Sequence, residues 1–215
     1  MIKPVILMGS GGHAKVLAAM LKKLDCPVLG VTGPALAEGG EVFGFPVLGG
    51  DNAIANFLPD RIELVNGLGS LPRDQGLRQR LFEQFHARGY AFKTLVDPTA
   101  MLADDVVLGE GVQVMAGVII QAGTQIANNV IVNSGAIIEH DCSIGCHNHI
   151  APGAVLCGAV ITGDNVHIGS GAVVIQGCSL GAGCIVGAGS VLTTSIAGRH
   201  IVYPPRSIIK NLERD

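Results

Sequence analysis

The chain has no tryptophan, and aromatic residues fill only 4% of its 215 positions. That scarcity argues against a conventional globule and for a narrow stacked core of aliphatic and small residues. Charged residues are also few, at 14% with a net charge of −3, which gives no strong pull toward nucleic acid or anionic membrane. None of the six cysteines forms a CxxC pair, which speaks against a disulfide framework or a zinc knuckle. Mean hydropathy is +0.48, yet no apolar run approaches the ~20 residues needed to span a membrane. Met1 to Pro4 lead straight into a strand-like run with no charged leader and cleavage site, so the expected location is the cytoplasm, with no membrane insertion.

What the chain has in abundance is a six-residue period. Sixteen hexapeptides run unbroken from Leu102 to Ala197, and the first position of each is Leu, Ile or Val except at Thr162. This is the mark of a parallel β-helix. Three hexads make one triangular coil, so residues 18 apart stack, and about five coils give a prism roughly 25 Å tall at ~4.8 Å per coil. Cys142, Cys178 and Cys184 take the small-residue slot and are expected to be buried thiols. The period stops after Gly198, and Tyr203-Pro-Pro is expected to cap the last coil.

The first 95 residues have another texture. Val5–Met8 reads as a buried strand, and Leu17, Met20, Leu21 and Leu24 recur on one face of a helix. Strands are expected at 27–31 and 62–65, and a second helix opening at Pro72 with Leu77, Leu81 and Phe85 as its apolar face. Alternation of this kind predicts a small Rossmann-like parallel α/β unit over 1–95, a β-helix over 96–198 and a tail over 199–215. Residues 33–50 are glycine-rich and give no clear pattern.

Against an apolar repeat, polar clusters need an explanation. Glu139, His140 and Asp141 are consecutive, and His147, His149 and His167 follow. A histidine titrating near ~6.5 is a competent base, and a neighbouring carboxylate can orient its ring. Either Glu139 or Asp141 can fill that role on sequence grounds. Gly158 stands one coil above His140, where its N–H can polarise a carbonyl or where it is simply a turn glycine. His149 and His167 are also 18 apart, which raises a metal site and a β-helix carbonic anhydrase. That pattern needs a third histidine two coils before His149, and Gln113 stands there, so no metal is expected.

Gly9-Ser-Gly-Gly-His-Ala lies between a strand and a helix and fits a phosphate cradle as well as a plain packing turn. The second strand ends at Thr32 and Gly33 without an acid, which disfavours NAD. Gly67-Leu-Gly-Ser follows a later strand and can line the same crevice.

The joint occurrence of Gly-Ser-Gly-Gly-His at 9–13 and Asn-Ser-Gly-Ala-Ile-Ile-Glu-His-Asp at 133–141, ahead of and within hexapeptides, resembles the PglD/NeuD-type sugar acyltransferases. The resemblance spans nearly the whole chain. It implies a left-handed β-helix and a homotrimer, with acetyl-CoA between neighbouring prisms. It further implies His140 as base, Asp141 and Asn133 as catalytic partners, and Gly158 at the thioester carbonyl. His149, Ser170 and Ala188 fall on coenzyme contacts, and Gly11, Gly12, His13 and Gly67 on the nucleotide-sugar site. Thr32-Gly33, where some members carry acids, and the tail Val202-Tyr-Pro-Pro-Arg206 depart from the family pattern. The expected reaction is transfer from acetyl-CoA to the 4-amino group of a UDP-linked amino-dideoxy sugar for glycan biosynthesis. The alternatives are O-acetylation of sialic acid or another free sugar, and a non-catalytic scaffold.

Overall fold

The computed structural model describes residues 3–34, 36, 38–70 and 76–205. The expected helix start at Pro72 and the departure at Arg206 lie outside them. The N-terminal unit begins with β1 (Val5–Met8), α1 (Gly12–Lys23) and β2 (Val28–Thr32). Then come β3 (Glu41–Val42), β4 (Phe45–Gly49), β5 (Glu63–Asn66), α2 (Leu77–His86) and β6 (Ala91–Phe92). The sheet order is β3-β4-β2-β1-β5-β6, parallel except for the β3–β4 hairpin. β1 is fully buried at the centre, which is why its four residues are all apolar.

Two local expectations are corrected. Residues 33–50 are not shapeless: Phe43 and Gly44, both with positive φ, make the two-residue turn of the hairpin. The signal was hidden because Phe43 occupies a place that Asn or Asp usually holds. The buried face of α2 is Arg78, Phe82 and Phe85, whereas Leu77 is 48% exposed.

After β6 the chain enters a left-handed parallel β-helix. Its first face has seven strands, from Leu95–Val96 to Ile201–Val202; the second has six, from Met101–Leu102 to Val191–Leu192; the third has five, from Val107–Leu108 to Ser179–Leu180. Partners such as Gln113 and Ile131, or Ile119 and Ile137, are 18 residues apart. The prism is therefore about six coils rather than five, because strands form just before and just after the hexads. The tail does not simply cap it. Ile196 bridges Leu180 and Ile201 pairs with Ile185, so the last coil closes two residues short and continues the first face. Pro204 then packs against Gly187.

The first hexad residues stack inside, and Cys142, Cys178 and Cys184 are buried with them. The exception, Thr162, is buried too. Its hydroxyl accepts from Asn148 Nδ2 at 2.6 Å and from the Gly145 N–H at 3.1 Å, while Asn148 Oδ1 accepts from the Val166 N–H at 2.6 Å. A polar pair inside the wall is tolerated because each partner satisfies the other. Asn148→Ala should strip the buried Val166 N–H of its acceptor and lower stability by ~1–3 kcal/mol, read by urea denaturation.

The first face is covered by the chain's own N-terminal unit. Gln113 Nε2 donates to the Asn66 carbonyl at 2.8 Å, Lys23 meets the buried Asp97 at 3.2 Å, and Phe82 packs edge-on against His147. Leu95, Gln113, Ile131 and His149 are buried there.

Candidate active site

The repeat turns the chain through a corner at His140 and Asp141, between the second face (Ile137–Ile138) and the third (Ser143–Ile144). Asp141 adopts φ 58, a left-handed turn position that Asp tolerates. The corner frees both side chains from strand alternation, so neighbours in sequence meet: His140 Nδ1 lies 2.8 Å from Asp141 Oδ2. The carboxylate accepts the Nδ1 proton, which leaves Nε2 as the basic nitrogen. Glu139 does not share this contact; its carbonyl accepts from Thr124.

Two glycines bracket the pair. A Cβ on Gly158 would fall 2.5 Å from His140 Nε2, so only glycine lets the ring lie flat on the coil above. The Gly158 carbonyl accepts from Gly177, whereas its N–H meets no acceptor among the described residues. Below, a Cβ on Gly123 would fall 2.5 Å from Asp141 Oδ1. Gly123 was missed by the sequence reading, although it is 18 residues before Asp141 and the same spacing that picked Gly158 finds it.

Asn133 and His149 sit elsewhere. His149 is on the first face, and Asn133 leads from it to the second, at a different corner from His140. The buried His149 places Nδ1 2.7 Å from the Ser70 carbonyl and Nε2 3.2 Å from Asn133 Nδ2. Its Nδ1–H therefore donates to Ser70 while Nε2 accepts from Asn133, a fixed neutral tautomer. Its ring meets that of His167 edge to face, with centroids 5.0 Å apart and planes at 89°. Among the described residues no group of three or more His, Cys, Asp or Glu side chains is gathered for a metal. Ser170 and Ala188 are exposed and stacked, the Gly189 N–H donating to the Ser170 carbonyl, on the same corner as Asn133.

The glycine turn borders a cavity of about 800 Å³ at the carboxyl ends of β1, β2 and β5. Gly9–His13, Asp51, Gly67–Gly69 and the α2 leucines Leu77 and Leu81 line it. The glycines differ in why they are there. A side chain at Gly67 would strike the Met8 carbonyl, so packing alone requires glycine. Gly11 and Gly12 have nothing within 4 Å of a built Cβ and no positive φ. Open approach to the backbone is the property they confer, at a helix N-terminus with no side-chain cap and no acid in its first turn.

His13, at the edge of this opening, places Nε2 2.8 Å from Gln113 Oε1. Burial, with the charge of Arg78 second, pushes its pKa down to about 4, so it is neutral at pH 7. Arg78, also unforeseen, is buried at 4% exposure. Its Nη1 donates to the carbonyls of Asn66 and Leu68, pinning the loop that lines the cavity. No motif marks it, because an arginine in an amphipathic helix normally reads as its solvent face.

A nucleotide-sized α/β cavity fused to a hexapeptide prism with a His–Asp pair on its corner defines the hexapeptide acyltransferase class of enzyme. Comparison with known proteins is specific. Residues 4–85 match the PglD N-terminal domain family and 159–194 the bacterial transferase hexapeptide family. PerB from Caulobacter crescentus, solved with CoA and GDP-perosamine, is 35% identical over 94% of each chain, with a TM-score of 0.83. The acetyltransferase domain of PglB from Neisseria gonorrhoeae is 31% identical over 90% of this chain and 93% of its own, with a TM-score of 0.81. The chain belongs to the PglD/NeuD-type sugar acyltransferase family.

The packing at Gly123 predicts that Gly123→Ala will displace the Asp141 carboxylate and lower kcat about tenfold. The loss should vanish when Asp141 is already Asn, as steady-state kinetics of the double-mutant cycle will test.

Proposed function

We propose that this protein transfers the acetyl group of acetyl-CoA to the amino group of a nucleotide-linked amino-dideoxy sugar. The observation that carries the chemistry is the His140–Asp141 pair at 2.8 Å on an open corner, with Gly158 against the ring. The amine nitrogen attacks the acetyl carbonyl carbon as His140 Nε2 takes its proton. The C–N bond forms, the C–S bond breaks, and the proton passes on to the departing CoA sulfur. Asp141 stabilises the imidazolium, and the free Gly158 N–H donates to the developing oxyanion.

Relatives support both substrates: PerB was solved with CoA and GDP-perosamine, and the PglB domain with acetyl coenzyme A. Guanosine thus stands beside the expected uridine as the carrier. The nucleotide half is assigned to Gly11 and Gly12, whose uncapped N–H groups suit a diphosphate. Gly67 and His13 shape that cavity, and Ser170, Ala188, His149 and Asn133 are assigned to the coenzyme side.

The assembly we assign is a homotrimer with shared sites. His140 is on one corner of the second face, and Asn133 with the Ser170–Ala188 column is on the other, so one prism cannot close a site around both. The second face carries Met101, Ile119, Ile137, Val155, Val173 and Val191 outward, an aliphatic ladder exposed or half-buried along its length. The first face is already covered, and the third breaks its exposed Val107 and Ile161 with Gln125, Ser143 and Ser179, so it has no continuous apolar row. Burying the ladder against a second copy brings one chain's His140 to the other's coenzyme column.

Three outcomes are expected. His140→Ala should cut turnover by ~10²–10⁴ with melting and assembly unchanged, and near-normal turnover would remove His140 as the base. Thiol release from acetyl-CoA should occur with UDP- or GDP-linked amino sugars, whereas release with free sialic acid alone would replace N-acetylation by O-acetylation. Co-expressed His140→Ala and Ala188→Glu chains, each inactive alone, should regain activity in mixed trimers; no recovery would confine the site to one chain.

A further inference from the structure

The second strand ends without the acid that a nucleoside cradle usually uses to hold ribose, yet the cavity does contain one carboxylate. Asp51 stands two residues beyond Gly49, the register partner of Thr32 at the end of the neighbouring strand β4. The Thr32 side chain, fully buried, donates its hydroxyl proton to Asp51 Oδ1 at 2.8 Å. That contact fixes the carboxylate at the carboxyl end of β2, where an acid carried by β2 itself would project. Among the described residues no protein donor reaches Oδ2, and Asp51 is the only acidic residue lining the cavity.

Geometry sets what the free oxygen can bind. The uncapped N-terminus of α1 fixes the anionic part of a ligand at Gly11 and Gly12. On the β5 side Gly67–Gly69 line the cavity, and the carbonyl of the next residue, Ser70, meets His149 of the prism, so the reactive end of a ligand is directed that way. The opposite side, toward β2 and β4, is left for the nucleoside. An anion there would be repelled by Asp51, and a neutral group with paired hydroxyl donors would be held.

We propose that Asp51, positioned by Thr32, binds the vicinal hydroxyls of the ribose in a nucleoside diphosphate. The proposal rests on the nucleotide-sugar reading above and names the residue that carries out ribose recognition in it. Thr32 is then a positioning residue, and the absent acid of the second strand has been supplied from β4.

The test is titration calorimetry on the full chain with UDP, GDP, their 2′-deoxy forms and inorganic pyrophosphate. Asp51→Ala should weaken the ribonucleoside diphosphates about ten- to hundredfold, and erase their advantage over the 2′-deoxy forms, with pyrophosphate unaffected. Thr32→Val, which keeps the carboxylate but frees it to rotate, should cost severalfold in the same direction. An undiminished ribose advantage in folded Asp51→Ala overturns the assignment while leaving the nucleotide-sugar reading intact. Failure of the wild-type chain to bind any nucleoside diphosphate overturns both.

Discussion

Parallel backbone pairing between coils, at an offset of 18 residues, is the constraint on which everything else in the prism rests. Each coil's N–H and C=O groups are satisfied by the coils above and below, so a slip of one residue would break every bond of a coil and turn its aliphatic row outward. Position along the chain thereby becomes position in space with little freedom. Gly123, Asp141 and Ala159 form one column, and Ala122, His140 and Gly158 the next. The His–Asp pair needs no buried network to hold it, because the coils above and below leave room for it only at glycines.

The seam between the two units is the less regular half of the design. It buries Leu95 and Ile131 beside polar atoms that are used in chains: His13 to Gln113, Gln113 to Asn66, Arg78 to Asn66 and Leu68, and Ser70 to His149. Burial lowers Arg78 to about 9, leaving it cationic at neutral pH, and that charge in turn helps keep His13 neutral. The loop between Asn66 and Ser70 lines the cavity and touches His149 of the prism, so it physically connects the two units.

Much of this was readable in the residues. The first-slot aliphatics announced the wall, and the 18-residue spacing paired His140 with Gly158 and His149 with His167. Other elements were illegible for identifiable reasons. The hairpin at Phe43-Gly44 carries an atypical residue at a positive φ. The closing strand Ile201–Val202 depends on a coil shortened by two residues, which no period reports. Arg78 looks like surface until the loop it pins is seen.

The sequence by itself determined the solenoid, its register and the columns in which polar residues stack, because a repeat whose backbone pairs with its own copies leaves one solution. It also limited the choice of orienting acid to two neighbours. Only the tertiary structure decided between Glu139 and Asp141, since a corner's φ and ψ, not strand alternation, aim the carboxylate. It alone brought Asp51 from a different strand to Thr32, and Ser70 of the first unit to His149 of the prism. Those relations join parts of the chain that no local pattern connects, and they exist only once the sheet order and the packing of one unit on the other are fixed.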